Sequence, residues 1–253
     1  LLPKASLKVA SGEIRLEDRN ILGIPNKALR RIRGGEVAMI FQEPMTSLNP
    51  VMTIGDQMVE AIREHREDMP QGAEAIARDM LDAVHMSEAA RRLKQYPHEL
   101  SGGMRQRVMI AMALAGHPRL LIADETTTAL DTTTQKQILD LLRDLNISEG
   151  MAVLLISPDL GVVTSVCSRV HVMYLGQIVA AIDACGLMER PSHPYAQGLI
   201  ASIPPLEGER VDTLADIPAQ CRRLRQYPVD AALRLVAPGR TSVAARRSLR
   251  WLP

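Results

Sequence analysis

A chain of 253 residues, 46% hydrophobic, is long enough to bury a substantial core, while its 30 basic and 29 acidic residues nearly cancel and exclude a global field that would draw nucleic acid or an anionic membrane. No apolar run approaches the roughly 20 residues needed to span a bilayer, and no secretory signal is visible. Three cysteines, Cys167, Cys185 and Cys221, lie too far apart for a metal or disulfide framework and read as reduced thiols of a cytosolic protein.

In chain order, the first pattern to read is "EVAMIFQ", residues 36–42, a short apolar run stopped by Glu43-Pro44 and therefore a buried strand. The segment "MTSLNPVMTIGDQ" follows as a loop. From about Ile54 to Arg92 apolar residues recur at three- and four-residue spacing among many charges, which predicts a separate helical lobe. "YPHELSGGMRQRVMIAMALAG" then predicts a loop, a Ser-Gly-Gly turn and a long helix ending near Gly116 and Pro118.

"LLIADETTTALD", residues 120–131, is a second buried strand ending in Asp124-Glu125, followed by a Thr-rich turn and the helix of "TTTQKQILDLLRDLNISEG". "MAVLLIS" is a further apolar strand, "DLGVVTSVC" a short helix, and "RVHVMYLGQIVA" two strands about Gly176. Strands alternating with amphipathic helices predict an α/β fold on a parallel sheet. Regular patterning fades from about Pro204, and after Cys221 eight Arg stand against one acid, Asp230, the composition of a solvated extension.

Two adjacent carboxylates at a strand end suit a bound cation, or are merely solvated acids. Ser101, Gly102 and Gly103 precede a helix whose free N–H groups and positive dipole end attract phosphate, or form a plain N-cap. The order of the motifs separates these readings. "FQEP" closing a strand, a helical lobe, "LSGGMRQR" opening a helix, "LLIADE" and "TALD" together resemble the ATP-binding cassette (ABC) ATPases, over about residues 1–207. "AMIFQEPMTSLNPVMTIGDQ", "YPHELSGGMRQRVMIAMAL" and "HPYAQGLIASIP" resemble its dipeptide, oligopeptide and glutathione importer branch.

The resemblance implies an ABC-type nucleotide-binding domain of the P-loop NTPase fold over residues 1–207, with a helical subdomain at about 54–116, and an irregular Arg-rich extension over 208–253. It implies ATP and Mg²⁺ as cofactors. Asp124 would hold Mg²⁺ through water, Glu125 would polarise the attacking water as the catalytic carboxylate, and Gln42 would touch Mg²⁺ and sense the transmembrane partner. Ser101, Gly102 and Gly103 would cap the γ-phosphate of ATP bound mainly by a second ABC subunit, and Ala129, Leu130 and Asp131 would form the loop passing between the two subunits. Partners implied are inner-membrane permease subunits, that second ATPase subunit and, indirectly, a periplasmic solute-binding protein, with no nucleic acid. The expected location is the cytoplasmic face of the membrane, peripherally.

The sequence departs from the family in four places. None of its 16 Gly is followed by Lys, so the G-x-x-x-x-G-K-[ST] phosphate cradle is missing, and the expected reading is a chain entered just downstream of it. Thr126 stands where relatives have Pro. Pro158, in "ISPDLGVV", stands in place of the switch histidine and offers neither a side-chain donor nor an N–H. Cys221 alone represents a cysteine cluster of many relatives, so no iron–sulfur centre is expected. These departures frame a contrast between an importer ATPase subunit and a non-catalytic partner lending its signature turn to an intact subunit. A soluble ABC ATPase of translation or repair is disfavoured by "HPYAQGL".

Overall fold

A computed structural model describes residues 9, 11–41, 47–65, 72–127, 130–191 and 193–203. These fall into two compact units, residues 1–22 with 163–253, and residues 23–162.

In the first unit, β1 (Arg15–Leu16) and β2 (Arg19–Asn20) form a short antiparallel pair. In the second, α1 (Asn26–Gly35) leads into β3 (Val37–Ile40), and the helical lobe follows as α2 (Ile54–His65), α3 (Ala73–Ala83) and α4 (Ala89–Arg92). Next come α5 (Gly102–Ala113), β4 (Leu120–Asp124), α6 (Thr132–Glu149), β5 (Ala152–Ile156) and α7 (Leu160–Val166), which ends in the first unit. The first unit continues with β6 (Arg169–Tyr174), β7 (Gln177–Asp183), α8 (Ala184–Glu189) and α9 (Pro194–Ala201).

The expected parallel sheet is present as β3-β4-β5, with Ile40 beside Ala123 and Asp124 beside Ile156. The strands that follow depart from it. β6 and β7 form an antiparallel hairpin, because Leu175 and Gly176 (φ +49° and +77°) both take the left-handed turn that joins two adjacent strands directly. Neither α1 nor the β1–β2 pair is anticipated by the apolar pattern, since both are largely exposed and charged.

Strand periodicity divides the parallel sheet into two faces. On one, Ala38, Ile40, Leu121 and Ala123 are buried, and Val153 and Leu155 pack against them. Val108 and Ile110 of α5, Ile138, Leu141 and Leu142 of α6, and Ile54, Met58, Ile62, Ala77 and Leu81 of the lobe belong to the same core. On the other face lie Met39, Ile122, Leu154 and Ile156, with Asp124 in the last row; Leu154 is 49% and Ile156 43% exposed.

Candidate nucleotide site

Asp124 ends the central strand β4, half-buried, at the C-terminal edge where open α/β sheets present ligands. Parallel pairing carries one residue further, as Glu125 donates its N–H to the Ile156 carbonyl at 2.9 Å. Glu125 then turns out of the strand with φ +47°, a conformation an L-residue adopts at a cost. Thr126 and Thr127 dive back into the interior, and Thr127 accepts the amide of Leu130 at 3.2 Å to close the turn.

The turn delivers the chain to Asp131, which caps α6 by accepting the Thr134 amide at 3.0 Å. Hydrogen bonds from the Thr134 side chain and amide hold the Asp131 carboxyl below its ordinary value. The signature turn is built the same way. Ser101 accepts the Met104 amide at 3.3 Å at the head of α5, and Arg105 ties back to the Leu100 carbonyl at 3.0 Å.

The two helix heads meet. A methyl group added at Gly103 would run into Thr134, and one at Gly102 would lie 3.7 Å from Leu130. Lacking side chains, the two glycines let the start of α5 rest on the start of α6, so Ser101–Gly103 and Leu130–Asp131 form one surface. Thr134 was not singled out in sequence; its signal is the Asp-x-x-Thr of an N-cap. Gln42 and Ala129, by contrast, fall outside the described residues. Pro158 lies in the turn from β5 to α7, where Asp159 accepts the amides of Gly161 and Val162 at 2.8 and 3.2 Å.

The donors present fit a magnesium ion brought in with phosphates and not a protein cage. Among the described residues no three His, Cys, Asp or Glu side chains gather to hold a metal, whereas Mg²⁺ commonly takes one or two carboxylates and completes its shell with water and phosphate oxygens. Asp124 and Glu125 supply that pair, and the buried Thr126 hydroxyl beside them has no hydrogen-bond partner among the described residues.

A parallel sheet with two adjacent carboxylates at its C-terminal edge, in a chain whose helices open on capped turns at Ser101 and Asp131, belongs to the α/β nucleotide-binding domains of the P-loop NTPase class. The ABC transporter family profile matches residues 4–128. A probable peptide ABC transporter ATP-binding protein of Sinorhizobium fredii is 49% identical over 226 residues, covering 89% of this chain and 68% of that protein. The oligopeptide transport ATP-binding protein AppD of Bacillus subtilis is 46% identical, covering 90% and 72%. Among solved structures, the dimeric post-hydrolysis state of the ATP-binding cassette MJ0796 bound to ADP and Pi superposes with a TM-score of 0.61 at 28% identity, over 69% of this chain and 74% of that one. The chain belongs to the ABC transporter ATP-binding proteins.

Proposed function

We propose that this chain is the ATP-binding subunit that energises ABC-type import of peptides or related small solutes. The observation that carries the reading is the shared surface of Ser101–Gly103 and the Asp131 helix head, seven residues beyond the Asp124 carboxylate. Its relatives are named for peptide and oligopeptide transport. No helix among the described residues is long and apolar enough to cross a membrane, which suits a subunit held peripherally at the cytoplasmic face by permease partners.

In this reading Asp124 holds Mg²⁺ through water, and Glu125 orients and polarises the water that attacks the γ-phosphate. Asp124 and Glu125 would hold a magnesium ion brought in with the nucleotide, and such an ion would supply charge neutralisation to the phosphates. Gln42, the residue after Phe41 in the sequence, would touch Mg²⁺ and sense the permease. Ser101, Gly102 and Gly103 present a hydroxyl and N–H donors to the γ-phosphate of a second subunit's ATP, and Asp131 stands between the subunits. The proposed division keeps residues 1–207 as the ATPase domain, with the lobe at 54–116, and 208–253 as an extension.

By itself the 253-residue chain hydrolyses ATP weakly, because preorganised backbone donors and a lysine supply most of the stabilisation in phosphoryl transfer and this sequence has no Gly-Lys pair. Purified chain that turns over ATP, and loses that turnover on Glu125→Gln, overturns this point.

The deciding experiment pairs the chain with an intact cassette subunit and a permease in proteoliposomes. Ser101→Arg is expected to reduce ATP hydrolysis by about a hundredfold, the typical effect of losing a donor to a developing anion. Unchanged hydrolysis and peptide uptake would refute the assignment. If Glu125→Gln has no effect while Ser101→Arg does, the chain is a non-catalytic partner.

A further inference from the structure

Three buried polar side-chain atoms have no hydrogen-bond partner among the described residues: Nε2 and Oε1 of Gln106, and the Thr126 hydroxyl. Gln106 is fully buried and Thr126 nearly so. An unpaired polar group at that depth is costly, and a leucine or a valine would fill the same space without the cost. Stability therefore gives no reason for either side chain. Thr126 is also one of this chain's departures, since relatives have Pro there, and Pro carries no hydroxyl.

Both groups border one turn. Gln106 lies three and four residues beyond Gly103 and Gly102, so all three share a face of α5. Helical side chains lean back toward the N-terminus, which carries the Gln106 amide over the glycine turn. There a methyl at Gly102 would lie 3.7 Å from Leu130, and one at Gly103 would strike Thr134. From the other side, the Leu130 amide donates to the carbonyl of Thr127, the residue after Thr126, at 3.2 Å. Leu130 thus stands between the helix that carries Gln106 and the segment that carries Thr126. Thr126 in turn follows Glu125, whose φ of +47° is a conformation that its surroundings must support.

We propose that the Gln106 carboxamide and the Thr126 hydroxyl are the two halves of a hydrogen bond made when phosphate engages Ser101–Gly103, and that this bond fixes the direction of Glu125. The inference rests on the ATPase role proposed above. α5 meets the head of α6 through glycines, so no interdigitated side chains oppose a small slide of one helix over the other. An anion drawn to the N–H groups of α5 supplies the pull. The slide brings the amide to the hydroxyl, and residue 126, once held, holds residue 125. Gln106 and Thr126 are then positioning residues that act through Glu125. They tie the phosphate on the signature turn to the carboxylate at the sheet edge.

The test uses the chain assembled with an intact cassette subunit and a permease in proteoliposomes. Thr126→Val and Gln106→Leu each remove one half of the bond. Each is expected to lower kcat for ATP by about tenfold with KM unchanged, the effect of one hydrogen bond made only in the working state. Thermal melts of the same variants should show no loss of stability. Thr126→Ser, which keeps the hydroxyl, should restore the wild-type rate. The double variant should be no slower than either single one, because both remove the same bond. Glu125→Gln tests the reading beneath the inference. If it slows hydrolysis and Thr126→Val does not, the inference falls and the ATPase role stands. If neither slows hydrolysis, the catalytic role of Glu125 falls as well. A slow Thr126→Val beside an unaffected Glu125→Gln overturns the route through Glu125. So do additive losses in the double variant, or melting temperatures that fall in step with the rates, the mark of a structural role.

Discussion

Asp131 and two glutamines show how single side chains divide the work. The Asp131 carboxyl is held below its ordinary value of 3.8, chiefly by hydrogen bonds from Thr134. The folded state thus favours the charged form, so its contribution is fully present above the unfolded value and is lost as pH falls through the lower folded one. Chemical denaturation of wild type and Asp131→Asn should differ most above about pH 5 and converge in stronger acid. Gln57 and Gln106 are both buried, at 6% and 0% exposure, but only Gln57 is shown satisfied. Its Oε1 accepts the Asn49 amide at 2.8 Å and its Nε2 donates to the carbonyls of Asn49, Met52 and Thr53, pinning the segment after β3 to α2. Neither polar atom of Gln106 finds a partner among the described residues. Gln57→Leu should therefore cost about 2 kcal/mol by stranding those backbone groups, whereas Gln106→Leu should be neutral or stabilising. Thermal melts of the two variants check the contrast, and equal losses would mean that Gln106 is satisfied by an ordered water.

Helices of the second unit meet where side chains are absent. α1 kinks at Gly34 (φ +84°), and a methyl there would strike the His65 ring at the end of α2. A methyl at Gly116, in the turn after α5, would strike the Gly34 carbonyl, which as backbone cannot rotate away. Gly116→Ala should destabilise by about 2 kcal/mol through overpacking. Gly103→Ala should cost less, because its neighbour is the rotatable Thr134 side chain. A comparison of denaturant midpoints tests the ranking. Arg107 adds a cross-tie, donating to the Val84 carbonyl at 2.6 Å and to Gln137 at 3.3 Å, so α5 is fastened to the end of α3 and to α6. Burial lowers its pKa, yet the group stays charged at any pH where the protein folds.

At the scale of the molecule, the two units are unlike in construction. The 23–162 unit surrounds a sheet and the lobe with fully buried Ile54, Ile62, Leu81, Ile110, Leu121 and Ile138. The 1–22 and 163–253 unit holds its hairpin with Val170 and Val172, Leu187 of α8 and a tilted Tyr174–Tyr195 contact at 4.4 Å. Hydrogen exchange should be slowest at the amides of Leu121, Ile122 and Ala123, in the central strand bonded on both sides. It should be fastest at Arg15–Asn20, where two-residue strands are exposed. Mass spectrometry of exchanged peptides reads both, and slow exchange over Arg15–Asn20 would contradict the contrast.

Sequence by itself determined the strands of "EVAMIFQ", "LLIADE" and "MAVLLIS", the helical lobe, the heads of α5 and α6, and the family, because apolar periodicity and capping residues are local and motif order is one-dimensional. It left β1, β2 and α1 unmarked, since exposed polar elements carry little periodic signal. Only tertiary structure decided that Gly103 rests on Thr134, that Gly116 abuts Gly34, and that Gln57 is satisfied. Only the register could show Asp124 and Ile156 in one row on the face of the sheet opposite Leu121 and Ala123. These depend on which backbones approach across long sequence separations, and neither spacing nor composition encodes that geometry.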